Sequence, residues 1–327
     1  MLAWVMLALA NVVNHPHFAH SYQLFYGAWP QLRRGEFPKT LARGWWLSGV
    51  VVPTLMALFL GAAAYRWSLG DKFWMGLAVN LMGALVGWHY VKQGFGMAMT
   101  DAAFKRCFWS ASARRALLWN AYACWAYAWA VVNTSSAGSY FWGVFNVRAA
   151  VPESMLLAVG LLAAASSAWV GLTVYGAVSA WRRAGVTWSG MPLNGVLAYV
   201  ITLYLWTAFA GINPAYALVI PFFHSLQYLT VVWRYKLNEA RTAGGIDATG
   251  RAALWRFAAR GFVLGALGFW LLPGLLERWQ TGGWPTLTGG TSLAIAVAWL
   301  FINVHHYFID TVLWRRENPN VSRHLFK

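Results

Sequence analysis

The chain has 327 residues, of which 59% are hydrophobic and only 10% charged, against about 25% charged residues in soluble globular proteins. That excludes an ordinary soluble enzyme, a disordered tail and a coiled coil. It leaves an all-α polytopic integral membrane bundle, because open strands cannot satisfy their edges in lipid.

A spanning helix needs about 20 mostly apolar residues. The first candidate core, 3–27, lacks a basic leader and a small-residue cleavage site, so it reads as a span rather than a signal peptide. Further cores lie at 45–65, 73–99, 116–133, 154–181, 191–211, 215–233, 261–276 and 290–314. Together they make one transmembrane domain over 1–327, of about nine spans. The loop 133–150 is rich in Ser, Gly and aromatic residues and is expected to pack over the bundle. The segment 234–260 reads as a connection holding a short amphipathic stretch around Ala252–Ala259, and 315–327 as a tail. Many of the 23 tryptophans stand near the ends of apolar segments, where an aromatic belt lies. Cys107 and Cys124 are too few for a disulfide framework or a thiolate zinc site.

The net charge of +16 is unevenly distributed. Alternate connections and the tail carry Arg33, Arg34, Lys39, Arg43, Lys105, Arg106, Arg114, Arg115, Arg182 and Arg183. They continue with Arg234, Lys236, Arg241, Arg251, Arg256, Arg260, Arg315, Arg316, Arg323 and Lys327. The opposite face has only Arg66, Lys72, Arg148 and Arg278. This asymmetry predicts an outside N-terminus and a cytoplasmic C-terminus, with attraction to anionic lipids. It offers no groove for nucleic acid. The expected location is a bacterial inner membrane.

Seven of the eight histidines fall inside spans: His15, His17 and His20 in the first, His89 in the third, His224 in the seventh, His305 and His306 in the ninth. His224 and His305 each precede a flanking arginine by ten residues, His17 precedes Gly27 by ten, and His89 precedes Asp101 by twelve. At 1.5 Å per residue these rings sit about 15–18 Å from one membrane face, near the middle of a core about 30 Å thick. Four helices thus bring imidazole to one layer, and an intramembrane ionisable residue points to function. Single histidines also serve as interhelical hydrogen-bond partners. The expected ligands are His17, His89, His224 and His305, followed by His20 and His306. The adjacent pair points about 100° apart, so at most one of the two binds directly.

Asp310 is the one acidic residue inside a span and lies four residues after His306, on the same face. It reads as the partner of Lys92 in an ion pair, or as a carboxylate that orients a ligand histidine; either residue can carry protons. Gln93, Gln227, Tyr228 and Tyr307 share this depth and can face a cofactor or bridge helices. Neutral imidazoles with so few carboxylates suit Fe(II), Cu or Zn, and exclude a carboxylate-bridged di-iron centre. Pro16, Pro53 and Pro221 are expected to bend helices or free backbone carbonyls.

The segment Pro221-Phe222-Phe223-His224-Ser225-Leu226-Gln227-Tyr228 resembles the His-Ser-x-x-His helix of the Brp/Blh family of membrane β-carotene 15,15'-dioxygenases. Pro16-His17-Phe18-Ala19-His20 is similar to that family's first-span Pro-His segment, and His89 before Gly94-Phe95-Gly96 to its third-span histidine. Tyr228 stands where the family has a second histidine, so His305 and His306 would supply replacement ligands. The resemblance implies an all-helical fold holding non-haem iron, O₂ as co-substrate and a polyene entering from the bilayer. Two other readings fit the same residues: a haem or chlorin electron carrier with paired axial histidines, and a transporter or proton relay through His, Lys92 and Asp310.

Overall fold

The computed structural model describes residues 5, 8–135, 147, 149–205, 207, 216–242, 248–283 and 292–326. Every described secondary-structure element is helical. The helices are α1 (His15–Gly27), α2 (Lys39–Ser68), α3 (Phe73–Phe104), α4 (Ala111–Ser135), α5 (Glu153–Arg183), α6 (Leu193–Tyr204), α7 (Tyr216–Thr242), α8 (Gly250–Thr281), α9 (Leu293–Leu313) and α10 (Pro319–Leu325). A helix therefore lies over the described part of each predicted span.

Four of them, α2, α5, α8 and α9, are long and apolar enough to cross a membrane. Their burial runs opposite to that of a soluble protein. In α5 only 11% of the most apolar window is buried, and in α2 17%. Leu157, Leu161, Leu162, Trp169 and Leu172 of α5 stand exposed, as do Leu55 and Leu58 of α2. Soluble monomers do not present apolar faces of this extent. Such faces suit acyl chains as solvent.

Helices α1, α3 and α7 are less apolar because they carry His, Gln, Asn and Tyr, and their polar side chains turn inward. One core joins α3, α4, α5 and α6 around Leu117, Tyr199 and Leu203; another joins α1, α2 and α9 around Phe25, Trp45 and Ile309. Helix α1 crosses the middle and lies against α8 where that helix is glycine-faced. A Cβ at Gly265 would meet the backbone carbonyl carbon of His15 at 2.9 Å, and one at Gly261 would strike the His20 ring. These two glycines, four apart, form a small-residue groove that lets α1 approach closely.

Three π-helical turns interrupt the helices: Ala10–Asn14, Leu47–Val51 and Leu267–Leu271. Each ends two residues before a proline: Pro16, Pro53 and Pro273. Proline has no N–H, and its ring crowds the carbonyl of the preceding turn; widening that turn to π spacing makes room. The freed carbonyls find partners on other helices. Ahead of Pro53, Ser48 O accepts from His305 Nε2 at 2.9 Å and Gly49 O from Tyr26 Oη at 3.1 Å. Ahead of Pro273, Phe269 O accepts from Trp299 Nε1 at 3.2 Å.

Within 234–260, α7 continues to Thr242 and Ala252–Ala259 belongs to α8, with 243–247 outside the described residues. Most of the loop 133–150, including Arg148, also lies outside them. Its described end does pack over the bundle, with Asn80 Nδ2 donating to Val147 O at 2.8 Å and Ala149 N to Asn133 Oδ1 at 2.7 Å. Between α2 and α3, the Phe73 N–H and the Arg66 guanidinium hold the Asp71 carboxyl below the usual carboxylate range.

Candidate metal centre

Four helices each contribute one histidine to a closed ring of imidazoles: His17 from α1, His224 from α7, His89 from α3 and His306 from α9. Around the ring, successive centroids are 5.0 Å (His17–His224), 4.9 Å (His224–His89), 5.2 Å (His89–His306) and 4.5 Å (His306–His17) apart. With metal–nitrogen bonds of about 2.0–2.1 Å, imidazole centroids around a single ion lie about 4.5 Å apart at right angles and about 5.2 Å apart at tetrahedral angles. The ring has that size.

All four histidines are buried. His17 Nε2, His89 Nε2 and both ring nitrogens of His224 and of His306 make no hydrogen bond among the described residues. Orphaned buried polar atoms are rare and call for an explanation; here six of them sit on the four imidazoles of the ring. The ligand atoms of His17, His224 and His306 lie within 4.8 Å of one another, as do those of His89, His306 and Asp310. These buried groups can hold a metal ion.

Asp310 completes the centre. Its Oδ2 is 3.3 Å from His306 Nε2 and 3.9 Å from His89 Nε2. Tyr228 Oη donates to Oδ1 at 3.3 Å and is also paired with Ser21 Oγ. The expected ion pair with Lys92 does not form. Three residues past His89 the helix has turned to within about 60° of a full circle, enough to aim Lys92 at α4. Its Nζ lies 5.9 Å from the Phe95 ring centroid and 6.0 Å from that of Tyr122. Among the described residues the carboxylate has only imidazoles within ion-pair distance. An ionised carboxylate buried without a cation is costly; a divalent ion held among the histidines would supply one.

The tautomer of His17 follows from its neighbours. Ser225 Oγ donates to Asn14 Oδ1 at 2.8 Å, so its oxygen accepts from His17 Nδ1–H at 3.0 Å. Nε2 is then the atom with the free lone pair, and it faces the ring. A hydrogen bond on the far nitrogen of a ligand imidazole fixes its orientation and raises its basicity. Replacing Ser225 by alanine is therefore expected to weaken metal binding about 10–100-fold without removing a ligand, measured by competition with a chelator of known affinity.

The remaining candidates divide clearly. His305, expected among the primary ligands, is not in the ring: Nε2 donates to Ser48 O, and Nδ1 accepts from Tyr22 Oη at 2.8 Å. His306 takes the place expected for it. His20 lies outside the ring, stacked on Phe257 at 4.4 Å with Gln23 Nε2 3.2 Å from its Nδ1. Gln93 and Gln227 tie helices together instead of facing the centre. Gln93 Nε2 donates to His224 O at 2.8 Å, and Gln227 Oε1 accepts from Gln93 and Thr202. Tyr228 and Tyr307 do line the centre, with ring centroids 4.3 Å from His17 and 4.6 Å from His89. Tyr90, at the same depth in sequence, lines it too, with its ring centroid 4.2 Å from that of His224; sequence reasoning missed Ser21, and Ser225 as an orienting group. A hydroxyl one turn from a histidine in an apolar span was the available signal for Ser21.

The fold and this centre define an all-helical bundle, with membrane-compatible outer faces, built around a buried histidine-rich site. No family model matches the chain, and no curated protein or solved structure matches it either.

Proposed function

We propose that the protein is an integral membrane oxygenase in which His17, His89, His224 and His306, with Asp310, hold one non-haem Fe(II). Its substrate is an apolar, lipid-soluble and carotenoid-like molecule. The carrying observation is the buried ring of four imidazoles, in which two close sets of ligand atoms, His17–His224–His306 and His89–His306–Asp310, share His306. The set His89, His306 and Asp310 supports iron over zinc, since two histidines and a carboxylate are the recurrent ligands of Fe(II) oxygenases. Iron bound there supplies the binding and activation of O₂. Phe18, Tyr90, Tyr228 and Tyr307 keep water out and offer apolar surface to a substrate. Tyr228 holds a proton at the edge of the centre, on the hydroxyl that donates to Asp310 Oδ1.

A closed ring leaves no gap for a planar macrocycle between opposed imidazoles, which favours a bare ion over haem. A proton relay loses one member, because Lys92 faces α4. The membrane reading extends to about nine spans with the arginine-rich ends in the cytoplasm of a bacterial inner membrane.

The test is metal analysis and oxygen uptake on protein purified in detergent. The expected result is about one iron per chain, no Soret band, and O₂ consumption that requires both the iron and a polyene such as β-carotene. Metal-free protein that remains folded and equally active would overturn the proposal.

A further inference from the structure

Away from the histidine centre, α3, α6 and α7 border a half-open cavity of about 500 Å³ beside the arginine-bearing end of α7. Arg234, Asn238 and Arg241 line it from α7, Thr100 and Phe104 from α3, and Asn194 from α6. The α7 residues recur every three or four positions, so they form one stripe down that helix.

Three observations make this a site for a phosphate-bearing ligand. The Arg234 guanidinium lies over the Phe104 ring, 3.8 Å from its centroid; such stacking holds the fork in place while leaving its N–H groups available. No carboxylate lies within ion-pair distance of Arg234 or Arg241 among the described residues, and Arg241 makes one bond to Asn238 Oδ1 at 3.3 Å. The acid lining the cavity, Asp101, is already engaged: it accepts from Gly195 N at 2.8 Å, and Lys105 Nζ is 3.5 Å away. The cavity therefore presents net positive charge on two arginines suited to bidentate phosphate recognition.

Depth identifies the source of the phosphate. Arg234 follows His224 by ten residues, about 15 Å along α7, and half of a hydrocarbon core is about 15 Å. If the histidine layer is the midplane, Arg234 stands at the hydrocarbon–headgroup boundary and Arg241, about 10 Å further along α7, on the aqueous side of the headgroups. We propose that this cavity binds the phosphate of an anionic phospholipid headgroup, with the acyl chains lying along the exposed Trp233 and Leu226 side of α7. The inference rests on the membrane reading and is independent of the identity of the metal.

The experiment uses native mass spectrometry of the purified full-length protein titrated with phosphatidylglycerol, phosphatidylcholine or inorganic phosphate. Phosphatidylglycerol is expected to bind in preference to phosphatidylcholine and to resist displacement by millimolar phosphate. In the double variant Arg234→Gln/Arg241→Gln its binding should fall about thirtyfold, the combined effect of two basic residues near a membrane surface. Metal content and melting temperature of the variant should match the wild type, since both arginines are exposed and distant from the imidazole ring. Equal binding of the two lipids, or phosphatidylglycerol binding unchanged in the variant, would overturn the proposal. Arginine-dependent binding of inorganic phosphate without a lipid preference would also overturn it, by assigning the site to a soluble ligand. Protein monodisperse without detergent would fail the membrane reading first.

Discussion

Alanine at His306 is expected to strip the centre of its metal, whereas alanine at the neighbouring His305 is expected to leave the metal in place. The two residues are adjacent and similarly buried, so bulk polarity and depth cannot separate them. Their partners do. His306 has both ring nitrogens free, is within 5.2 Å of two other imidazoles by ring centroid, and faces Asp310. Its removal opens the ring and leaves Asp310 without its nearest counter-group. His305 spends one nitrogen on Ser48 O and the other on Tyr22 Oη. Its removal orphans a buried carbonyl and a hydroxyl, a stability cost of about 1–3 kcal/mol for each group left unsatisfied. Metal per chain and melting temperature should therefore separate: His306→Ala falls from about one ion per chain to a small fraction, and His305→Ala keeps the ion but melts earlier. Equal metal retention in the two variants would dissolve the ring as a metal centre.

The second large effect concerns a residue that touches no ligand atom. Gly265→Ala is expected to cost about 1–3 kcal/mol by overpacking and to lower metal occupancy with it. The added methyl would meet the carbonyl carbon, Cβ and carbonyl oxygen of His15 at 2.9–3.0 Å. Backbone cannot rotate aside, so α1 must shift bodily, carrying His17 out of register with His224 and His306. Gly261→Ala is the comparison, since it also clashes with α1 but through a side chain instead of backbone. The three atoms nearest its added methyl all belong to the His20 ring, a side-chain end outside the centre. The comparison is read from melting temperature and metal content of the two variants. Gly265→Ala with wild-type values for both would show that the approach of α1 to α8 does not set the geometry of the ring.

The fold class and the histidine layer were legible because lipid makes polarity expensive. A histidine in an apolar run stands out, and counting residues from a basic flank gives its depth. Rotation about the helix axis was less legible. The choice between His305 and His306 depends on how α9 is turned against α2, and that is set by the π turn before Pro53, which demands a donor. The direction of Lys92 was hidden for a similar reason: its helix packs on α4 on one side and α9 on the other, and a small angular difference decides between them. Asp310 was placed correctly beside His306, since four residues along a helix return to the same face. Helix ends near 234–260 were not legible because hydropathy marks apolar runs, and α7 stays helical past its apolar run to Thr242. The pair Gly261 and Gly265 carried a readable small-residue spacing, but only packing reveals which helix it receives.

The π turn at Leu47–Val51 makes Pro53 and His305 interdependent across most of the chain. The missing amide creates an acceptor at a fixed position, and one imidazole on another helix answers it. A lineage that replaced Pro53 would release His305 to drift, and one that first lost His305 would carry a defect until the proline changed. Such pairs behave as a single heritable unit, with a permitted order of substitution. His306, next door, is then positioned by an epistatic bond in which it takes no part.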